Sequence, residues 1–309
     1  MAVINIDDAY ILNETGAQVD KVTGLFTKDE DTTSGEKAFA QLNIGTAGSN
    51  RNLLDNPWWG GGEVVNQRSA DQLNPSEYGI DRWKGGSRGS VSVTSTGLAF
   101  GSSGGNAWQP MESALLAWMV GKVFTASVLM SDGTIYSGHG TYGTGTTYFL
   151  SNPVELFISS AGNFNVRTSS AATVRAVKLE LGSVSTLAND APPDYGQELA
   201  KCQRYFYRMK SIGSAYPFEM GFATSATNFR VVLPTHCSMR TPVQSVTMNG
   251  GNFYAYGNGV AAGLTSVSYT GWVPNGIVVT FTTSGLTAAA IYALMCNNAS
   301  SYIDISCDI

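Results

Sequence analysis

From residue 90 onward, polar and apolar residues alternate in short runs, the period-two signature of strands with one buried face. Residues 90–100 (SVSVTSTGLAF) alternate in this way. Residues 122–130 place Val123, Thr125, Ser127 and Leu129 on one face and Phe124, Ala126, Val128 and Met130 on the other. Further strands are predicted over 146–150, 154–159, 163–168 and 173–181. Ser131-Asp132-Gly133, Gly143-Thr144-Gly145 and Ala161-Gly162-Asn163 supply the turns between them. After residue 200, Tyr205, Tyr207 and Met209 alternate with Phe206, Arg208 and Lys210. Strands follow at 219–224, 228–233, 243–248, 252–256, 265–269, 277–283, 289–296 and 301–307, with a break at Pro234 and a turn at Asn249-Gly250-Gly251-Asn252. Short strands at this spacing predict sandwiches rather than βαβ units. No strict repeat points to a β-helix.

The N-terminal stretch differs. It carries Asp29-Glu30-Asp31 and one helical signal, a capping box from Thr33 to Glu36 that opens a short helix over 36–43, closed by Gly45. Ala38, Phe39 and Leu42 share a face of that helix, which is too short to hold alone in water. Ala191-Pro192-Pro193-Asp194-Tyr195 is a rigid stop. The pattern therefore predicts an all-β chain: an attachment or linker segment over 1–50, a β-sandwich over 51–200 and a second β-sandwich tip domain over 201–309.

Composition sharpens this. Charged residues make up only 13% and aromatics 11%, which excludes disorder as the main state. The net charge of −5 and the lack of a Lys/Arg cluster argue against a nucleic-acid partner. Cys202, Cys237, Cys296 and Cys307 form no CxxC pair, and with His139 and His236 as the two histidines a zinc site is not expected; isolated buried thiols are the simpler reading. The N-terminus lacks the basic and apolar regions of a signal peptide. The most apolar window, 114–130, is interrupted by Gly121, Lys122, Thr125 and Ser127, so no membrane insertion is expected.

Three segments resemble tail-fibre and prophage side-tail proteins of bacteriophages. One runs from Gly35-Glu36-Lys37-Ala38 to Asn43-Ile44-Gly45. The second joins Asn52-Leu53-Leu54-Asp55-Asn56-Pro57, Val65-Asn66-Gln67-Arg68 and Tyr78-Gly79-Ile80-Asp81-Arg82-Trp83. The third leads from Val177-Lys178-Leu179-Glu180-Leu181-Gly182 through Pro193-Asp194-Tyr195 to Glu198-Leu199-Ala200-Lys201-Cys202-Gln203-Arg204-Tyr205-Phe206. The opening NLLDNP and the closing AVKLELG also resemble the ends of jelly-roll carbohydrate-binding modules. These resemblances imply jelly-roll-like sandwiches and a fibre tip that recognises its bacterial host by reversible binding of a surface polysaccharide or lipopolysaccharide. They further imply a homotrimer, contacts to other tail proteins through the N-terminal segment, a place in the virion after synthesis in the host cytoplasm, and no enzymatic turnover. A structural calcium would fall to Asp55 and Glu63. The rival readings are a capsule depolymerase and a purely structural decoration protein of the virion.

A saccharide binder needs a flat aromatic platform beside amides, carboxylates or Arg. Candidates are Trp58 and Trp59 before Gly60-Gly61-Gly62, Trp108 and Gln109 after Asn106, and Tyr142 in His139-Gly140-Thr141-Tyr142-Gly143, read as a loop. Tyr254, Tyr256, Tyr269 and Trp272 flank Gly/Asn loops and suit either a distal receptor site or subunit packing. Trp58, Trp59 and Trp83 suit a core equally well. Glycosidic hydrolysis needs two carboxyls at a set separation. Glu63, Asp71, Glu77, Asp81 and Glu112 are candidates for it, but a buried Asp–Arg pair accounts for Asp81 and Arg82 without catalysis. No catalytic residue is assigned.

Overall fold

The computed structural model describes residues 49–215, 217–240, 243, 245–249, 252–273 and 276–308. The helix expected over 36–43, the first of the three resembling segments and the side chain of Trp272 lie outside the described residues.

The chain is mostly β. In the first unit, β1 (Gln72–Leu73), β2 (Lys84–Thr94) and β3 (Gly97–Pro110) precede a short helix, α1 (Ser113–Met119). Then come β4 (Val123–Met130), β5 (Ile135–Thr141), β6 (Thr147–Leu150), β7 (Glu155–Ile158), β8 (Asn163–Thr168) and β9 (Ala172–Leu181). They form one sheet in the order β5-β4-β9-β3-β8-β7-β6, with β2 and β1 branching from β3. The two ends of that path meet. A Cβ placed on Gly138 of β5 would sit 2.0 Å from the Phe149 carbonyl oxygen of β6. The expected two-layer sandwich is therefore replaced here by a near-closed seven-stranded barrel. The physical reason is that glycines at 138 and 140 remove the side chains that would hold β5 away from β6. The stretch expected as a glycine-rich loop is thus a strand that closes the barrel.

The long alternating run over 90–100 also resolves differently. Ser95 and Thr96 turn the chain, so that Thr94 pairs with Gly97 across a β2–β3 hairpin. Gly97 has φ +142°, and a Cβ there would lie 2.1 Å from the Val174 carbonyl oxygen, so the position requires glycine.

Part of the barrel core comes from the stretch before β2. Trp59 and Trp83 are fully buried and meet edge to face at 4.8 Å. Both indoles donate to the Asn56 carbonyl oxygen at 2.9 Å. Asn56 has φ 50°, and its side-chain amide donates to the carbonyls of Val65 and Asp81, pinning two loops. Asn52 clamps β9 by donating to the Val177 carbonyl and accepting from the Leu179 N–H. These motif residues act through packing and backbone satisfaction.

The predicted stop at 191–195 opens a helix, α2 (Tyr195–Gln203), whose cap Asp194 accepts from the Gln197 N–H at 2.9 Å. This helix crosses residue 200, so the expected boundary falls inside an element. Beyond it, β10 (Phe206–Lys210), β19 (Tyr302–Ser306) and β13 (Ser245–Met248) form a small sheet. β11 (Pro217–Ser225), β12 (Asn228–Pro234), β14 (Phe253–Gly257), β15 (Val260–Gly263), β16 (Ser266–Val273), β17 (Gly276–Thr282) and β18 (Ile291–Cys296) form a curled sheet in the order β15-β14-β18-β11-β12-β17-β16. Phe229, Phe253, Phe281 and Leu294 of the curled sheet share one core with Tyr207, Val246, Ile303 and Ile305 of the small one.

An ionic junction joins the two units. Arg68 bridges Asp81 at 2.8 Å and Asp308 at 2.5 Å, and Arg208 donates to the Arg68 carbonyl. Arg82 pairs with Asp55 at 3.2 Å and stacks 3.5 Å over the Tyr205 ring. Burial pushes the Asp81 carboxyl up to about 6, against the attraction of Arg68 and the Gln67 N–H. Burial likewise raises the Asp308 carboxyl. Cys202, Cys237, Cys296 and Cys307 are all free thiols.

Candidate functional site

In antiparallel sheets, directly opposed residues project from the same face and touch across strands. Reading the register outward along the barrel gives Lys84 opposite Trp108, Trp108 opposite Asn165, Asn165 opposite Phe157, and Phe157 opposite Tyr148. These five residues make one row across β2, β3, β8, β7 and β6. The alternating partners Ala107, Phe164, Val166 and Leu156 point into the core, which places the row on the outside. A neighbouring row holds Asn106, Arg167 and Glu155.

Each member of the rows is held in place. The Trp108 indole N–H donates to the Gly85 carbonyl at 2.9 Å, leaving its ring half-buried with the Lys84 ammonium 5.1 Å from its centre. The Tyr148 and Phe157 rings lie 5.0 Å apart at 32°, and Arg167 sits 4.8 Å over Phe157. Arg167 Nε donates to Glu155 at 2.9 Å, a bond that raises its guanidinium pKa. Asn106 donates to Asn165 at 3.3 Å, and Asn165 donates to the Asn163 carbonyl at 2.7 Å. The Asn106 side-chain oxygen is buried with no hydrogen-bond partner among the described residues. Tyr148 is 50% exposed, so the row carries aromatic surface at both ends. Three strand spacings, about 14 Å, separate Trp108 from Tyr148. The result is a curved surface that presents the rings of Trp108 and Tyr148 and the Glu155–Arg167 pair, with Asn165 and Phe157 buried between them.

No protein-family model matches this chain, and no curated protein matches it.

Of the residues expected to bind ligand, Trp108 is the one on this platform. Trp59 is sealed in the core and presents no open ring face. Trp58 is 7% exposed and packs with Ala176 and Leu187 on the outside of β9, where it lines a small pocket of about 180 Å³ together with Arg51, Leu54, Pro57 and Lys201. Gln109 is buried and spent on Asp55, accepting from its N–H and donating to its carbonyl. Tyr142 is buried at the end of the barrel core, its backbone paired with Lys122. At 0% and 2% exposure Trp59 and Gln109 have no surface to offer a ligand, and Trp58 and Tyr142 have little, at 7% each. Tyr254 and Tyr256 stand on the outside of the curled sheet, far along the chain from this platform, with rings 6.4 Å apart.

Two of the carboxylates considered for hydrolysis, Asp81 and Glu112, are engaged elsewhere. Asp81 is locked on Arg68, and Glu112 accepts from Tyr205 and Arg240 at the junction. Asp55 faces Arg82. Among the described residues no group of three or more His, Cys, Asp or Glu side chains converges as a metal site. No helix among them is long and apolar enough to cross a membrane.

Proposed function

We propose that this chain binds a bacterial surface glycan reversibly, laying an extended saccharide across the outer rows of the barrel, as the tip of a bacteriophage tail fibre. The observation that carries this reading is the outward row that presents Trp108 and Tyr148 about three strands apart, packed on the buried Asn165 and Phe157, with Arg167 and Glu155 beside it. The Trp108 and Tyr148 rings take the C–H side of a sugar, and the ion pair takes its hydroxyls. A convex, open platform suits a chain of several sugars better than a single enclosed one. The tail-fibre part rests on the resemblance of residues 35–206. In that setting the chain is a homotrimer on the virion, joined to other tail proteins through residues 1–50, and weak single sites gain strength by avidity.

Binding proceeds without turnover. Acid–base cleavage of a glycosidic bond takes two carboxyls, whereas these rows offer Glu155 alone, already held by Arg167.

A glycan array probed with the full chain tests the reading. Bound glycans are expected, with Trp108→Ala and Tyr148→Ala each reducing the signal at least about tenfold, the loss of roughly 1.4 kcal/mol of stacking. An empty array, or signal indifferent to both substitutions, defeats it. Steady shortening of lipopolysaccharide chains during incubation would point to the depolymerase instead.

A further inference from the structure

One end of the barrel carries large apolar residues on its surface. Trp118 of α1, Val120 after it, Val123 at the start of β4, Leu181 at the end of β9 and Val184 beyond it are exposed by 38% to 64%. They adjoin one another. Leu181 lies opposite Phe124, the Gly182 N–H donates to the Val123 carbonyl at 2.9 Å, and the Trp118 ring meets Phe124 edge to face at 5.9 Å. Together they leave roughly 450 Å² of apolar surface, the size at which an exposed patch commonly has a use. Lys122 carries the one charge among residues 118–123 and 181–184, and its ammonium is folded over the Trp118 ring at 3.8 Å.

The chain enters the barrel at this same end. Residues 53–59 run antiparallel to β9: Leu53 donates to the Leu179 carbonyl, Val177 donates to the Pro57 carbonyl, and Trp59 donates to the Arg175 carbonyl. Followed backwards, the chain therefore heads for Leu181. Its first described residues are fixed beside the patch, because Lys178 donates to the Ser49 hydroxyl at 2.7 Å and the Asn50 N–H donates to the Thr186 hydroxyl at 3.0 Å. Ser185 on Ser127 and Gly182 on Val123 place Val184 between Ser49 and the rest of the patch. Lys178 lies opposite Ser127, four strand residues or about 13 Å from Val123. Upstream, the sequence carries Ala38, Phe39, Leu42 and Ile44. The five steps from Ile44 to Ser49 span up to ~17 Å, which covers that distance.

We propose that residues 36–44 of this chain fold back onto this end of the barrel, seating Phe39 and Leu42 against Trp118, Leu181 and Val184. The short helix expected there cannot hold alone in water, and the patch supplies the apolar surface it needs. The tether keeps the segment at an effective concentration of about a millimolar, ahead of any partner that must arrive by diffusion. This inference does not depend on glycan binding.

Hydrogen exchange read by mass spectrometry on the full chain tests it. Amides of residues 36–44 are expected to exchange at least about tenfold more slowly than in a synthetic peptide of the same residues, to the same degree at low and high micromolar protein. Leu42→Asp is expected to abolish that protection while exchange in β8 stays unchanged. Val184→Asp, made from the barrel side, is expected to do the same and gives an independent answer should one variant fail to fold. Peptide-like exchange across 36–44 in the wild type overturns the proposal, as does protection that both substitutions leave intact. Protection that grows with protein concentration also overturns it and gives the face to a second chain.

Discussion

The barrel and the curled sheet are built from the same kind of strand, yet their outer surfaces are finished in opposite ways. Part of the barrel exterior is covered by the chain itself, where Trp58 and Leu187 fold over Ala176, and part is dressed with amides, rings and the Glu155–Arg167 pair. The curled sheet leaves Ile291, Tyr256 and Met220 in the open with almost no charge around them. Both inner faces are packed with buried apolar side chains, so the inner faces fix the folds. Under the proposed reading the outer faces divide the labour: the barrel's carries the glycan site, and the curled sheet's carries large apolar side chains with almost no charge.

The largest effects are expected in the two cores. Trp59→Ala and Phe281→Ala each delete a fully buried ring, and each is expected to cost about 3–5 kcal/mol. Calorimetry then reads whether the units melt together. Because the Arg68, Arg82 and Arg208 contacts tie them, one shared transition is expected for wild type, and two well-separated transitions would show the junction to be weak.

Next in size is the junction itself. Arg68→Ala leaves Asp81 buried without its cation and Asp308 without its partner, a loss on the order of 3 kcal/mol by chemical denaturation. A loss under about 0.5 kcal/mol would place the pair among ornamental surface contacts.

A smaller effect is read by pH. The Asp81 carboxyl is raised by burial from 3.8 to about 6 in the folded chain, so the folded state holds its proton more tightly than the unfolded one. The sign follows: stability from this group is greatest below the unfolded value, falls as pH rises from about 4 to 6, and is flat above. Arg68, Gln67 and Asp308 face the group, and the raised Asp308 carboxyl acts in the same direction. The difference in unfolding free energy between wild type and Asp81→Asn should therefore shift across this window by no more than about 3 kcal/mol, the wild type losing ground as pH rises. A shift of opposite sign would mean that Arg68 outweighs burial.

Much of the strand pattern was legible because alternation survives wherever one face is buried; the run over 163–168 coincides with β8. The same alternation hid the β2–β3 turn, since Ser95 and Thr96 carry none of the Gly or Asn signals that mark hairpins. Gly140 looked like a loop residue and Gly138 gave no signal, because a close approach between strands distant in the path leaves no local trace. Helix α2 had a readable start in Asp194 and Gln197, masked by the prolines before it. For the platform, the sequence pointed to Trp108 by its amide neighbours. Phe157 and Tyr148 were missed because only register brings them beside it, and register depends on pairings between strands far apart in the chain.

The most direct test of the division of labour is the affinity of a soluble, monovalent host-surface oligosaccharide for three proteins: wild type, Trp108→Ala and Tyr254→Ala. With a monovalent ligand avidity plays no part. Trp108→Ala is expected to weaken binding about tenfold or more, and Tyr254→Ala to leave it within about twofold. Undiminished binding by Trp108→Ala together with loss in Tyr254→Ala would contradict it and move the glycan site to the curled sheet.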